Sequence, residues 1–343
     1  SVVERFGNIQ RYRPQLALAY GVNGIIKMHN TYFFRSIEVP LVSLFYDNPF
    51  FFMTDETESE IFDNYQYYYN FIWDECFLKV FLDRGFKNVY PLMLAADTDM
   101  FFPMGQCSPE HDLCFVGSID TTKADNFKTD SNTVNFFIDA VIETKKQLLK
   151  ADMGVTTMDI CSELFKSDVF SYVFHQYLNQ KEYFWKHIYY LIHAKGSPTV
   201  RREILSSIDN ILHLYSDIPL SKDNIVFHPA ISYGTALSRV YQSYKINLNI
   251  TSLQLEASIN NRVFDVFASG GFLLSDYKKD MEKVLPDHWR DITFKNLDDM
   301  ASKCEHYLSH ENERKELTEE IYRHILKNHT YKNRAEDIIR VAG

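Results

Sequence analysis

Arg262 and Asp265 are the residues from which a chemical reading of this chain starts. They stand three apart in Asn261-Arg262-Val263-Phe264-Asp265. Placed at about 100° per residue, residues 260–269 put Val263, Phe264, Val266, Phe267 and Ala268 on one broad face, and Asn261, Arg262, Asp265 and Ser269 on the other. A guanidinium and a carboxylate so arranged form either a surface ion pair worth about 0.2–0.5 kcal/mol or the polar wall of a cleft, and the residues alone leave both open. Asp97-Thr98-Asp99 has the spacing of a metal-binding carboxylate pair, yet it follows an apolar run into a linker, where a turn is the expectation and no metal is. The twelve His are scattered, and the five Cys (76, 107, 114, 161, 304) include no CxxC pair and no neighbouring His at zinc-ligand spacing. There is no GxGxxG after a strand, no GxxxxGK[ST], no HExxH and no GxSxG, which counts against a dinucleotide oxidoreductase, a P-loop NTPase, a zinc protease and an α/β hydrolase.

The elements that must hold this pair follow from hydrophobic periodicity. Ile246–Ile250 is a short buried strand, a polar loop leads into the helix 260–269, and Gly270-Gly271 ends it before a second apolar run, Phe272–Leu274. Earlier in the chain, strands are expected at 15–20, 39–46, 67–73 and 88–94, with a helix over Ile25–Ile37 and another after Asp74-Glu75 that stops at Gly85. This alternation specifies a parallel, doubly wound sheet. The unit is short by a strand or two, and a truncated beginning is one expectation. After the linker 102–110, Leu113–Ser118 restarts the pattern. Residues 124–208 then show helical periodicity without strand signal, as a helical insertion would, and strands resume at 211–215, 225–227 and near 291–294. A charged amphipathic helical segment fills most of 297–340. The expected domains are 1–105 and 106–335, with 336–343 as a tail.

Composition bounds the class. At 343 residues with 45% hydrophobic content, 27 Phe and 22 Tyr, the chain suits two domains that each bury a core, and disorder is not expected over most of it. A formal net charge of −10 disfavours nucleic acid or an anionic membrane surface as the main partner. No apolar run approaches a membrane span, and the opening residues lack a signal-peptide pattern. With the Cys read as reduced thiols, the expected location is cytoplasmic.

Four segments in order, Phe115-Val116-Gly117-Ser118, Lys245–Ile250, Arg262–Asp265 with Ala268–Asp276, and His329–Ala335, resemble the successive landmarks of CgeB-like (spore maturation protein type) group 1 glycosyltransferases. Val39–Phe50, with its Asp47-Asn48-Pro49, and Gly85–Asp97 are similar to the segments that precede that catalytic domain. The resemblance implies an α/β GT-B fold of two facing Rossmann-like domains, with donor nucleotide on the C-terminal one and helices after the FVGS strand. It implies a metal-independent transfer of a sugar from a UDP-, GDP- or dTDP-linked donor to a hydroxyl of a surface glycan or glycoprotein, without a further cofactor.

Asp265 occupies the place of the acidic residue that takes the ribose hydroxyls, although Glu is usual there. The family's second signature Glu falls on Ala257, with Glu256 one position out of register. By the same resemblance Arg262 and Lys245 point to the diphosphate, and Asn249 ends the landmark strand on the donor side. Gly117 and Ser118 either end a strand tightly or let backbone N–H groups approach a phosphate. Tyr233 meets a nucleobase or sits in a plain turn. Asp47 is either a general base for the acceptor or a turn-stabilising residue, and Asn23 and Gly24 have similar access. His329 packs or caps, or touches the site. The Asp in place of Glu and the missing second Glu also motivate a rival reading, a GT-B-like binding or scaffold protein without catalysis.

Overall fold

The computed structural model describes residues 11–12, 14–28, 30–105, 109–122 and 129–343. It divides into two compact units: one closes at Met93 and regains the chain at Lys332–Gly343, and the other spans Leu94–Tyr331. The boundary thus falls before the linker rather than at 105/106, and residues 336–343 are no separate tail. They belong to the C-terminal helix Tyr331–Ala342, whose Ile338 packs with Val42, Leu44, Phe71 and Leu92 of the first unit.

The first unit is a four-stranded parallel sheet in chain order, β1 (Ala17–Tyr20), β2 (Leu41–Phe45), β3 (Tyr68–Ile72) and β4 (Val89–Pro91). β2 is buried at every position, which is why its sequence runs apolar rather than alternating. Helix α1 (Asp55–Asp63) opens on a Thr54/Thr57 capping box. Helix α2 (Glu75–Asp83) is capped by Asp74, which accepts from the Cys76 N–H, and stops at Gly85 with φ 83°. The helix expected over Ile25–Ile37 does not form. Lys27–Met28 and Thr31–Tyr32 make a small antiparallel pair, and Phe33–Ser36 alone is helical. Ile25, Ile26, Asn30 and Thr31 are weak helix formers, and the apolar spacing misleads over so short a stretch.

The second unit begins with β5 (His111–Val116). The helical segment expected after it is present as α3 (Asn132–Leu148), α4 (Thr157–Leu164), α5 (Ser171–Asn179) and α6 (Tyr190–Ser206). Then come β6 (Leu212–Ser216), β7 (Ile225–Pro229), α7 (Thr235–Gln242), β8 (Tyr244–Asn249), α8 (Asn261–Ala268), β9 (Leu273–Asp276) and β10 (Thr293–Phe294). Helices α9 (Leu297–Ser309) and α10 (Glu311–Asn328) follow. The sheet is parallel throughout, in the order β7-β6-β5-β8-β9-β10. Strand order reverses between β5 and β8, and open α/β sheets bind ligands beyond the carboxyl ends of the strands at such a switch.

α8 is buried more completely than its amphipathic pattern implies. Val263, Phe264, Val266, Phe267 and Ala268 have no exposure, but neither do Asp265 and Ser269. The polar stripe packs against α7 and the turn before it: Ser238 Oγ donates to Ser269 Oγ at 2.9 Å, and Tyr233 reaches Asp265. Gly271 makes this packing possible. A Cβ there would lie 2.6 Å from the Tyr241 carbonyl oxygen and 3.2 Å from Asn247 Nδ2, and Asn247 Nδ2 itself bridges the Tyr241 and Phe272 carbonyls. Gly271→Ala is therefore expected to destabilise the protein by about 2 kcal/mol or more. It should appear as a lower urea midpoint with an unchanged slope, and an unaltered midpoint would contradict this packing.

Candidate functional site

The carboxyl ends of β5 and β8 bring two arginines to one aromatic ring. From the start of α8, Arg262 donates through Nη1 to Asn249 Oδ1 at 2.6 Å, and its guanidinium carbon lies 5.8 Å from the centre of the Phe115 ring. From α6, Arg201 lies 6.0 Å from that centre and donates to the Ile250 carbonyl from Nε and to the Ser118 carbonyl from Nη1, each at 3.1 Å. Asn249 is fixed by Asn260, with which it exchanges two amide hydrogen bonds, and by Ser275. Its oxygen is shared between Asn260 Nδ2 and Arg262. Burial, then the like charge of Arg262, push the Arg201 guanidinium down to about 10, opposed by Asp276 and Asp217. Arg262 Nε is buried and has no hydrogen-bond partner among the described residues. Two cations held together against their repulsion form a group that an anion would relieve.

Gly117 serves this group by lacking a side chain. A Cβ would stand 3.0 Å from the Phe115 ring and 3.6 Å from Arg262 Nη2. Its N–H is given to the Tyr215 carbonyl at 3.0 Å, so the strand ends tightly here. Ser118 Oγ donates to Asp217 Oδ2 at 2.5 Å, and Asp217 Oδ1 accepts from the Ile119 N–H at 3.1 Å.

One turn further along α8, Asp265 accepts from the Tyr233 hydroxyl at 3.0 Å and from Asn261 Nδ2 at 2.9 Å, both on Oδ2. Oδ1 is buried without a partner among the described residues. Burial raises the Asp265 carboxyl to about 7; Tyr233, Arg262 and Asn261 oppose the rise, and Asp97 adds to it. Tyr233 remains half-exposed and sets its ring edgewise on Phe101 at 4.9 Å. In this arrangement it covers Asp265.

Other expected residues lie elsewhere. Lys245 sits at the amino-terminal end of β8 and pairs with Asp112 at 2.7 Å. Four residues of strand separate it from Asn249, about 13 Å, so it is not brought to the arginines. Glu256 is 2% exposed and accepts from the Met158 N–H at 3.2 Å and from the Tyr189 hydroxyl. It caps α4 from across the loop. Ala257, where the family has a Glu, is buried beside it. His329 bonds to the Val284 carbonyl at 3.1 Å, and its own carbonyl accepts from the Ala96 N–H. Asp97 accepts from the Asp99 and Met100 N–H groups, as a turn residue does, and among the described residues no group of three His, Cys, Asp or Glu is placed to hold a metal ion. In the first unit, Asp47 follows β2 and accepts from the Tyr20 hydroxyl at the carboxyl end of β1. Asn23 and Gly24 form the adjoining turn, where a Gly24 Cβ would press on Ala19 and Leu41. Cys114, Cys161 and Cys304 are buried thiols, and Cys107 lies outside the described residues.

Arg201 is the residue that the sequence reading missed, because it lay within a stretch taken as an insertion. Its signal was an arginine three residues before Ile204 and four before Leu205, on the apolar side of the helix that feeds β6.

Residues 193–340 match the model of the Glycosyl transferase-like family, a segment that contains Arg201, Tyr233, Asn249, Arg262 and Asp265. No curated protein matches the chain. Among solved structures, the chain is similar to TarM, with a TM-score of 0.52 and 9% identity over 98% of this chain. It spans 57% of the TarM chain. It is also similar to sucrose-phosphate synthase from Thermosynechococcus elongatus, with a TM-score of 0.50 and 9% identity over 99% of this chain and 76% of that one. For T4 phage BGT in complex with its UDP-glucose substrate the values are 0.50 and 11%, over 98% and 85%. The fold is GT-B. The family match is confined to residues 193–340, and the likeness to these structures is one of fold. Among the described residues no helix is long and apolar enough to cross a membrane.

The Asp265 carboxyl makes a pH test of this geometry. It titrates near 7 in the fold and near 4 in an unfolded chain, so between those values the unfolded state releases a proton that the native state keeps. This group's contribution to stability is fully present below about pH 4, declines as pH rises through 7, and is constant above. Asp265→Asn keeps the acceptor for Tyr233 and Asn261 and removes the titration. Relative to the parent, the variant should gain stability on the order of a few kcal/mol between pH 4 and 8, measured by urea unfolding. Parallel pH profiles for the two proteins would refute a raised carboxyl.

Proposed function

We propose that this chain is a nucleotide-sugar-dependent hexosyltransferase of the CgeB-like subtype, and that Arg201 and Arg262 hold the donor diphosphate at the β5/β8 switch. The observation that carries the reading is the pair of guanidinium groups gathered at Phe115, one oriented by Asn249 and the other by two backbone carbonyls. As the sugar departs, negative charge builds on the leaving nucleoside diphosphate, and fixed cations stabilise it without reorganising. That role needs no metal ion. Asp265 receives the ribose hydroxyls once Tyr233 moves aside, its Oδ1 and Oδ2 each taking one. Asp47 serves as the base toward the acceptor hydroxyl, a role for which its bond to Tyr20 must be exchanged for one to substrate. The acceptor is a hydroxyl of a surface glycan or glycoprotein, and the reaction takes place in the cytoplasm. The T4 phage structure is a complex with UDP-glucose, which makes UDP the first nucleotide to examine beside GDP, dTDP and CMP.

A second reading, a nucleotide-binding protein without transfer, is favoured by Ala257 and by the commitment of Glu256 to α4. Release of nucleoside diphosphate from a donor sugar separates the two, since a binding protein releases none. Under the leading reading, Arg262→Ala and Arg201→Ala each weaken nucleoside diphosphate binding by about 10- to 100-fold, the value of a lost charge-assisted hydrogen bond, while both variants still melt cooperatively. Asp47→Asn keeps nucleotide affinity and loses transfer. Calorimetric titration and thermal shift report the binding, and unchanged affinity in both arginine variants would sink the assignment.

A further inference from the structure

A polar cavity lies in the same unit as the two arginines, at the opposite end of the sheet. About 320 Å³ in volume, it is lined by Lys245, Arg314, Lys315, Thr318, Glu319 and Tyr322, with the Gly270-Gly271 turn as part of its wall. That size falls in the range of small-molecule sites. Its charges are mostly spoken for. Lys245 pairs with Asp112 at 2.7 Å, Lys315 with Glu311 at 2.5 Å, and Glu319 with Arg323 at 2.8 Å.

Arg314 is different. It is 4% exposed, and among the described residues its one protein hydrogen bond runs from Nη1 to the Tyr307 carbonyl and no carboxylate lies within ion-pair distance of it. An unpaired guanidinium so buried is costly unless something compensates it. Its Nε and Nη2 make no protein hydrogen bond among the described residues and are absent from the buried atoms that lack a partner, so they keep access from the cavity side. A planar guanidinium fork presents two parallel N–H donors, the arrangement that phosphate and carboxylate groups accept.

We propose that this cavity is a binding site for a small molecule carrying an oxyanion, which Arg314 receives through Nε and Nη2. Lys245 and Lys315 at the wall add positive potential without being the primary contact. The site is separate from the Arg201 and Arg262 group, which lies at the other end of β8.

The test uses the full chain carrying Arg201→Ala and Arg262→Ala together, so that neither probe reports on the other arginine group, with phenyl phosphate and benzoate as probes. At about five times its Kd, a bound probe raises Tm by about 2 °C. A shift with phenyl phosphate alone assigns the site to phosphate esters, and one with benzoate alone assigns it to carboxylates. Arg314→Gln and Thr318→Phe are each expected to abolish the shift. The second variant fills the cavity from a half-exposed helix position, keeps the arginine, and decides the matter if the first does not fold. A shift that survives Thr318→Phe, or no shift with either probe before the cavity is altered, overturns the proposal.

Discussion

The hydrogen bond from Arg262 to Asn249 is the contact on which the site depends. A guanidinium at the start of α8 has to stay charged while it packs on Phe115, and the Asn249 oxygen 2.6 Å away supplies the acceptor that makes this tolerable. Asn249 can do so because Asn260 and Ser275 hold its amide. Those three residues belong to a strand end, a helix cap and the neighbouring strand. One arginine's orientation therefore rests on the register of β8 and β9 and on where α8 begins. Gly117, which leaves room for both Phe115 and Arg262, completes the constraint from the β5 side.

A second consequence concerns Asp265. Burying a carboxyl with one oxygen satisfied and the other bare raises its affinity for protons, and Tyr233 and Asn261 offset only part of that cost. A core position under no functional demand would be expected to carry an apolar residue in such surroundings. The bare oxygen and the half-exposed tyrosine above it are the kind of local expense found at binding sites. The loop from β8 to α8 is anchored differently, by Glu256 on the Met158 N–H of α4 and by Thr157 Oγ1 on the Leu253 carbonyl, so the helices of the β5–β6 crossover brace that loop as well as delivering Arg201.

Much of the fold was legible in the sequence where burial was two-sided or capping was explicit. The runs at 41–45, 68–72 and 246–249 are strands because both faces are covered. The start of α2 at Asp74 and its stop at Gly85 follow from a side-chain cap and a left-handed backbone. Residues 25–37 were misjudged because a short apolar pattern fits a helix and a hairpin alike. The domain limits were misjudged because the chain's last helix returns to the first unit through Ile338, a contact more than 240 residues away in sequence from its partners, of which local pattern carries no trace.

For the site, sequence by itself determined the residue types and their helical phase: Arg262 and Asp265 on one stripe, Gly117 at a strand end, Asn249 at another, and a Gly-Gly stop after α8. What the tertiary structure decided was direction and company. Lys245 and Asn249 lie on one strand, yet only the carboxyl end of that strand meets the switch between β5 and β8, so Asn249 joins Arg262 and Lys245 turns to Asp112. Arg201 enters from a distant helix because the crossover folds back over the sheet, and Asp265 loses its expected exposure because α7 and Tyr233 cover it. Periodicity fixes which side of an element a residue occupies; what lies on that side depends on elements far along the chain, and only their packing can supply it.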